Sequence, residues 1–163
     1  VKRLWLDPAN TPAFPPAISS ILSADLILIG PGSLYTSLLP NLLVRDLADA
    51  VRASQAIKFF ICNVATERGE TDKFSCLDHV KSVESHVGPN LFDLVICNNH
   101  FEGNLGEDVD WVRMDQELLD HASVYCADLI DVAYPWRHNS KRLAKTVMNL
   151  FYERTGPLPD NNF

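Results

Sequence analysis

The sequence predicts an α/β fold built on an open, mostly parallel sheet. Three short, strand-like apolar runs occur at 26–29, 57–62 and 91–97. Uniformly apolar runs of that kind suit parallel strands covered on both faces. Helical patterns separate them, and a polar, glycine-bearing loop follows each run at once. That alternation belongs to α/β architectures, and in such sheets ligands bind outside the carboxyl ends of the strands.

Residues 2–6 alternate polar and apolar side chains as an edge strand would, and Asp7-Pro8 ends the run. Pro12, Pro15 and Pro16 bracket a turn, and the last two suit a helix N-terminus. A short helix over 17–23 follows, with Ile18, Ile21 and Leu22 as its buried stripe. The strand at 25–29 breaks at Gly30-Pro31-Gly32. Helices are expected over 33–39 and 41–54, divided by Pro40, with Leu47, Ala50 and Val51 inward on the second.

A strand over 57–62 leads to a loop over 63–74 and a helix over 75–86 that turns Leu77, Val80, Val83 and Val87 inward. The strand at 91–97 opens into a polar loop at 98–106. Beyond it the pattern gives a short strand at 111–114, a helical turn at 115–121 and one or two short strands within 122–133. The last helix covers 140–154, with Leu143, Val147, Leu150 and Phe151 on one side. Residues 1–154 form one domain, and 155–163 are expected to be a loose tail.

The chain has 163 residues, 47% hydrophobic and 21% charged, an ordinary globular composition. A net charge of −7 leaves no basic stripe for a duplex nucleic-acid partner. It does not exclude small anionic ligands, which backbone amides bind whatever the net charge. No apolar run reaches the roughly 18–20 residues of a membrane span, and no signal peptide is visible, so a cytoplasmic protein is expected. The chain opens on Val1 rather than Met, as a segment of a longer protein would. Cys62, Cys76, Cys97 and Cys126 form no C-x-x-C pair and show no metal-ligand spacing. They read as free core thiols.

Three loops fall at strand ends. In the first, Gly30 and Gly32 allow positive φ and a close approach of backbone to ligand. A helix starting near Ser33 would aim free N–H groups at a bound anion. Ser33, Thr36 and Ser37 add hydroxyls, and Tyr35 a ring and a phenol. The same turn also reads as a plain strand-to-helix connection with Ser33 as N-cap.

In the second loop Arg68 suits a phosphate clamp, while Glu70 and Asp72 suit a divalent cation or a base. A solvated loop with Thr71 or Asp72 capping the next helix is the alternative. The third loop offers Asn98, Asn99, His100, Glu102 and Asn104 for a base or sugar. Arg137 and His138, before the last helix, are placed to reach a phosphate, or His138 to cap that helix. His79 and His86 share a helix face without a third ligand. No nucleophile–base pair can be assembled from spacing.

The run from Ile29 through Gly-Pro-Gly-Ser-Leu-Tyr-Thr-Ser37, followed by Leu39-Pro-Asn-Leu42, resembles the central motif of the YvcK/CofD-like family. So do Cys62-Asn63, Thr66, Gly69-Glu70-Thr71-Asp72 and Asp78-His79-Val80, with weaker matches at 136–139 and 143–144. The resemblance implies a Rossmann-like, three-layer α/β/α fold. It implies a gluconeogenesis factor of the YvcK branch, which binds uridine-diphosphate sugars and is linked to gluconeogenic growth, cell shape and cell-envelope synthesis.

On that reading Gly30, Gly32, Ser33, Leu34, Tyr35, Thr36, Ser37, Asn41, Asn63, Thr66, Arg68, Gly69, Glu70 and Thr71 hold the ligand, with Tyr35 packed on it. The alternative is the CofD branch, a 2-phospho-L-lactate transferase of coenzyme F420 synthesis, with magnesium on Glu70 or Asp72. Two departures from the family pattern stand out. Its opening Gly-Gly-Gly-Thr-Gly loop is absent, which implies that this chain is the carboxy-terminal part of a longer protein. Glu67 also replaces a neutral amide, with Arg68 beside it to offset the charge. A truncated sheet with an open edge also invites homo-oligomerisation.

Overall fold

The computed structural model describes residue 1 and residues 3–156. Four parallel strands, β1 (Leu26–Ile29), β2 (Ile57–Ile61), β3 (Leu94–Asn98) and β4 (Val124–Ala127), lie in the order β1-β2-β3-β4. Ile29 pairs with Phe60, Phe60 with Val95, and Val95 with Val124, so one row of residues crosses the whole sheet.

Side chains alternate between the two faces, and each face has its own core. Ile29, Phe60, Cys62, Val95 and Cys97 meet Leu39, Leu42, Val51, Leu77, Val80, Val83 and Leu118. These come from α2 (Leu39–Leu42), α3 (Arg45–Ala53), α4 (Cys76–Val87) and α5 (Gln116–His121). Phe59, Ile61, Leu94 and Ile96 meet Val147, Leu150 and Phe151 of α6 (Ser140–Thr155). Helices therefore cover both faces of the parallel sheet, the three-layer α/β/α arrangement expected from the sequence.

Local chemistry sets the helix limits. Pro15 and Pro16 open α1 (Pro15–Leu22), as their fixed φ and missing N–H suit the first turn. Ser75 caps α4 with a reciprocal Ser75–Asp78 box, so neither Thr71 nor Asp72 serves as its cap. Asn139 caps α6 through the Arg142 N–H.

Several local expectations change. Residues 3–6 form no strand: the Leu4 N–H donates to His86 Nε2 at 3.0 Å, and Trp5 is 73% exposed. Among the described residues no strand pairs with that segment, so its alternation does not become a ladder. Leu22 lies outward on α1, which buries no residue fully. Leu28 is 45% exposed, since β1 is an edge strand and not one covered on both faces.

Pro40 does not divide a helix. A π-helical turn (Leu34–Leu38) runs straight into α2, where Pro40 takes an early position that needs no N–H, and the break falls at Leu43 and Val44. Residues 111–114 give only an isolated bridge from Trp111 to Ala65. Thr155 belongs to α6 rather than to the tail, and the rest of the expected tail beyond Gly156 lies outside the described residues.

Gly30 closes β1 with φ +96°, and a Cβ there would stand 2.8 Å from the Ile61 carbonyl oxygen. Gly32 has no such constraint; its Cβ would meet Leu38 and Ser37 at an ordinary 3.5 Å. Gly30→Ala should therefore cost about 1–3 kcal/mol in urea unfolding. Gly32→Ala should stay within about 0.5 kcal/mol of the parent.

Candidate functional site

The carboxyl ends of the strands bring the three loops together around a cleft of about 1130 Å³. Pro31, Gly32 and Ser33 form one wall, and residues 63–68 form the floor. Asn104, Leu105, Gly106 and Val109 face them, and Trp136, Arg137 and His138 close the remaining side.

Glu67 is the hub of the polar part. The Ser33 hydroxyl donates to Glu67 Oε2 at 2.5 Å, and Asn63 Nδ2 donates to Oε1 at 3.3 Å. Ser33 stands at the N-cap position of the helical turn as expected, but its side chain is committed to the next loop and makes no capping bond. Below the floor, Thr66 and Thr71 are buried struts. Thr66 exchanges backbone and hydroxyl bonds with Asp110, each at 2.8 Å, and the Thr71 hydroxyl accepts from the Glu67 N–H at 2.8 Å. Buried hydroxyls bonded in this way hold backbone shape.

Of the remaining expected ligand residues only Arg68 lines the cleft, and Gly30 is among those that do not. Leu34 and Tyr35 lie in the core at 0% and 4% exposure. The Tyr35 phenol shares a hydrogen bond with Ser82 Oγ at 3.0 Å, and its ring meets Phe74 and His86 edge-on. Thr36, Ser37 and Asn41 are exposed and line no part of the cleft. Asn41 bonds to the Ser37 carbonyl.

Arg68 lines the cleft but pairs with Asp108 at 3.4 Å, so it does not offset the charge of Glu67. Gly69 (φ +81°) donates its N–H to both carboxylate oxygens of exposed Asp72. Glu70 lies off the cleft with one buried, unpartnered oxygen. Neither candidate cation ligand thus faces the cleft. In the third loop only Asn104 of the named side chains lines it. Asn98 is buried and serves Leu129 and His100, and His100 pairs with Glu102 at 3.5 Å.

His138 sits between cleft and core. Its Nε2 donates to the Cys62 carbonyl at 3.2 Å, so it does not cap α6. Burial outweighs that bond and pushes its pKa down to about 4, leaving a neutral imidazole at the cleft wall near neutral pH. Leu105, Gly106, Val109 and Trp136 carry no spacing signal, and the topology alone brings them to the cleft. The three buried cysteines are a larger surprise. The Sγ atoms of Cys62, Cys76 and Cys97 lie within 4.8 Å of one another, although the sequence shows no metal-ligand spacing.

A parallel three-layer sheet with its cleft at the carboxyl ends of the strands defines the class of open α/β proteins, in which ligands bind at those ends. The family model described as 2-phospho-L-lactate transferase CofD matches residues 1–130. The chain is similar to the gluconeogenesis factor of Listeria innocua, 47% identical over 164 aligned positions that cover 86% of this chain and 51% of that protein. It is also similar to the gluconeogenesis factor of Bacillus subtilis, 35% identical over 168 positions covering 94% and 51%. A solved structure of a upf0052 family member from Bacillus halodurans superposes with a TM-score of 0.84 at 32% identity, over 90% of this chain and 50% of that one. The chain belongs to the CofD/YvcK (UPF0052) family. It spans about half the length of these relatives. No helix among the described residues is long and apolar enough to cross a membrane.

Two outcomes follow from this geometry. Tyr35→Phe leaves Ser82 without its partner and should lower stability by about 1 kcal/mol in chemical denaturation, with ligand affinity unchanged. His138 titrates near 6.5 when unfolded and near 4 when folded. The unfolded chain therefore takes up a proton that the folded chain refuses as pH falls through that window. This contribution is flat above pH 6.5, and stability drops between 6.5 and 4. His79, whose pKa burial also lowers, acts in the same direction. Urea unfolding at pH 7 and pH 5 should show a smaller loss in His138→Gln than in the parent.

Proposed function

We propose that the protein is a regulatory nucleotide-sugar-binding protein of the gluconeogenesis-factor type, with a uridine-diphosphate sugar as its ligand, tied to gluconeogenic growth and to cell-envelope and cell-shape control. The observation that carries this reading is the cleft itself. Its volume of about 1130 Å³ suits a ligand of nucleotide-sugar size. It lies where open parallel sheets bind such ligands, in a chain 47% identical to a gluconeogenesis factor.

In this reading the backbone at Gly32 and Ser33 approaches the diphosphate, and Arg137 supplies positive charge from the facing wall. Trp136, 46% exposed, offers a face for the base or sugar. Arg68 joins only by leaving Asp108, a surface pair of small worth. Glu67 disfavours a bare phosphate beside it and instead accepts a hydroxyl of the sugar or ribose.

The transferase reading is favoured by the family model's description and by the carboxylate of Glu67 in the cleft. Magnesium, if used, would meet Glu67 rather than Glu70 or Asp72. Titration calorimetry of the full-length protein with uridine-diphosphate-N-acetylglucosamine should give saturable binding without turnover, weakened about tenfold by Arg137→Ala. No heat at millimolar ligand rejects the first reading. Magnesium-dependent turnover of a deazaflavin acceptor selects the second.

A further inference from the structure

We propose that Cys62, Cys76 and Cys97 form a buried site for one thiophilic divalent metal ion of the zinc type, toward which His79 turns as the fourth ligand when the ion binds. Three separate elements converge to make it. Cys62 directly follows β2, Cys97 lies on β3, and Cys76 is the first residue of α4. The register Ile61↔Ile96 sets Cys62 beside Cys97 on the same sheet face, and α4 lies over that face. All three thiols are 0% exposed, and their sulfurs lie within 4.8 Å of one another. A tetrahedral zinc site needs sulfurs roughly 3.8 Å apart, from Zn–S bonds of about 2.3 Å. Closing the triad on an ion therefore takes a contraction of about 1 Å or less, within reach of side-chain rotation.

His79 supplies a second observation, although it lies outside the set of groups within 4.8 Å of one another and must turn toward the sulfurs to ligate. It stands one turn beyond Cys76 on α4, the i+3 position that shares a helix face, and is only 1% exposed. Its Nδ1 lies 2.8 Å from the Ser75 carbonyl, which can only accept, so Nδ1 carries the proton. Nε2 then holds a lone pair, and it is buried without any hydrogen-bond partner. A metal-ligating histidine shows the same arrangement, one nitrogen anchored to a backbone carbonyl and the other free.

Charge selects the class of ion. Three thiolates and a neutral imidazole around a monovalent ion would leave two negative charges in an apolar core. A divalent ion leaves one, and Cys76 lies in the first turn of α4, where the helix dipole favours negative charge. Cys126 pairs with Cys97 across β3 and β4 but lies outside the triad, which makes it the internal control.

Because the cluster is sealed, the ion must enter as the chain folds. The test is expression of the full-length protein in zinc- or cobalt-supplemented medium, purification under reducing conditions, and metal analysis by mass spectrometry. One ion per chain is expected, with thiolate-to-cobalt charge-transfer absorption and the d–d bands of a tetrahedral ion. Cys126→Ser should keep the ion, Cys97→Ser should lose it, and His79→Ala should shift the d–d bands. Where Cys97→Ser does not fold, the wild-type cobalt spectrum decides alone. A folded wild-type protein with background metal and no charge-transfer band overturns the site, as does full metal retention in folded Cys97→Ser.

Discussion

Everything the cleft presents depends on the parallel register that ends β1, β2 and β3 side by side. Ile61 is the pivot. It pairs with Ile96, its carbonyl sets the space that only a glycine at position 30 can share, and the next residue faces two ways. The Cys62 N–H bonds to the Ile96 carbonyl and its own carbonyl accepts from His138, while its thiol enters the core. Backbone pairing, cleft wall and buried thiol cluster thus meet at one peptide. A slip of one residue would exchange the two faces of β2, placing Cys62 under α6 and Ile61 under α4.

The division of labour in the second loop follows the same logic. A loop at a sheet end must satisfy its backbone internally if it is to hold a defined surface. Thr66 and Thr71 do this from below, binding Asp110 and Glu67, and Glu67 is thereby held where Ser33 and Asn63 can reach it. The motif that marks the family is accordingly part scaffold and part surface. Its threonines are buried struts, and its carboxylate hub is what a ligand would meet.

The sheet and its major helices were legible because apolar runs and helix caps are local signals. Leu26 to Ile29 and the inward stripe of α6 follow from a few neighbouring residues, whereas the cap of α4 falls at Ser75 and not at Thr71 or Asp72. Residues 3–6 were misleading for the complementary reason: alternation makes a strand only where a partner strand exists. The site was legible at the level of loops but not of side chains. Tyr35 and Thr36 adjoin the same glycine turn, yet the π-helical turn sends one into the core and leaves the other in solvent. No spacing rule encodes that choice. The cysteines at 62, 76 and 97 escaped for a further reason, since two of them come together through strand register and the third through helix packing.

That contrast bears on how a chain with a net charge of −7 can serve an anionic ligand. The protein's overall field would oppose an anionic ligand in the cleft. On the proposed reading, local backbone dipoles and cations from separate segments would have to offset it. One of these, Arg68, is held outward by Asp108, and another, Arg137, stacks near Tyr134 at 5.9 Å. Both guanidinium groups have alternative partners on the surface, and an anion in the cleft would have to exchange these weak contacts for its own. Glu67, held by Ser33 and Asn63, has no comparable freedom. The fixed charge in the cleft is therefore negative and the adjustable charge positive. This favours a ligand that carries hydroxyls as well as phosphates over a bare phosphate of equal charge.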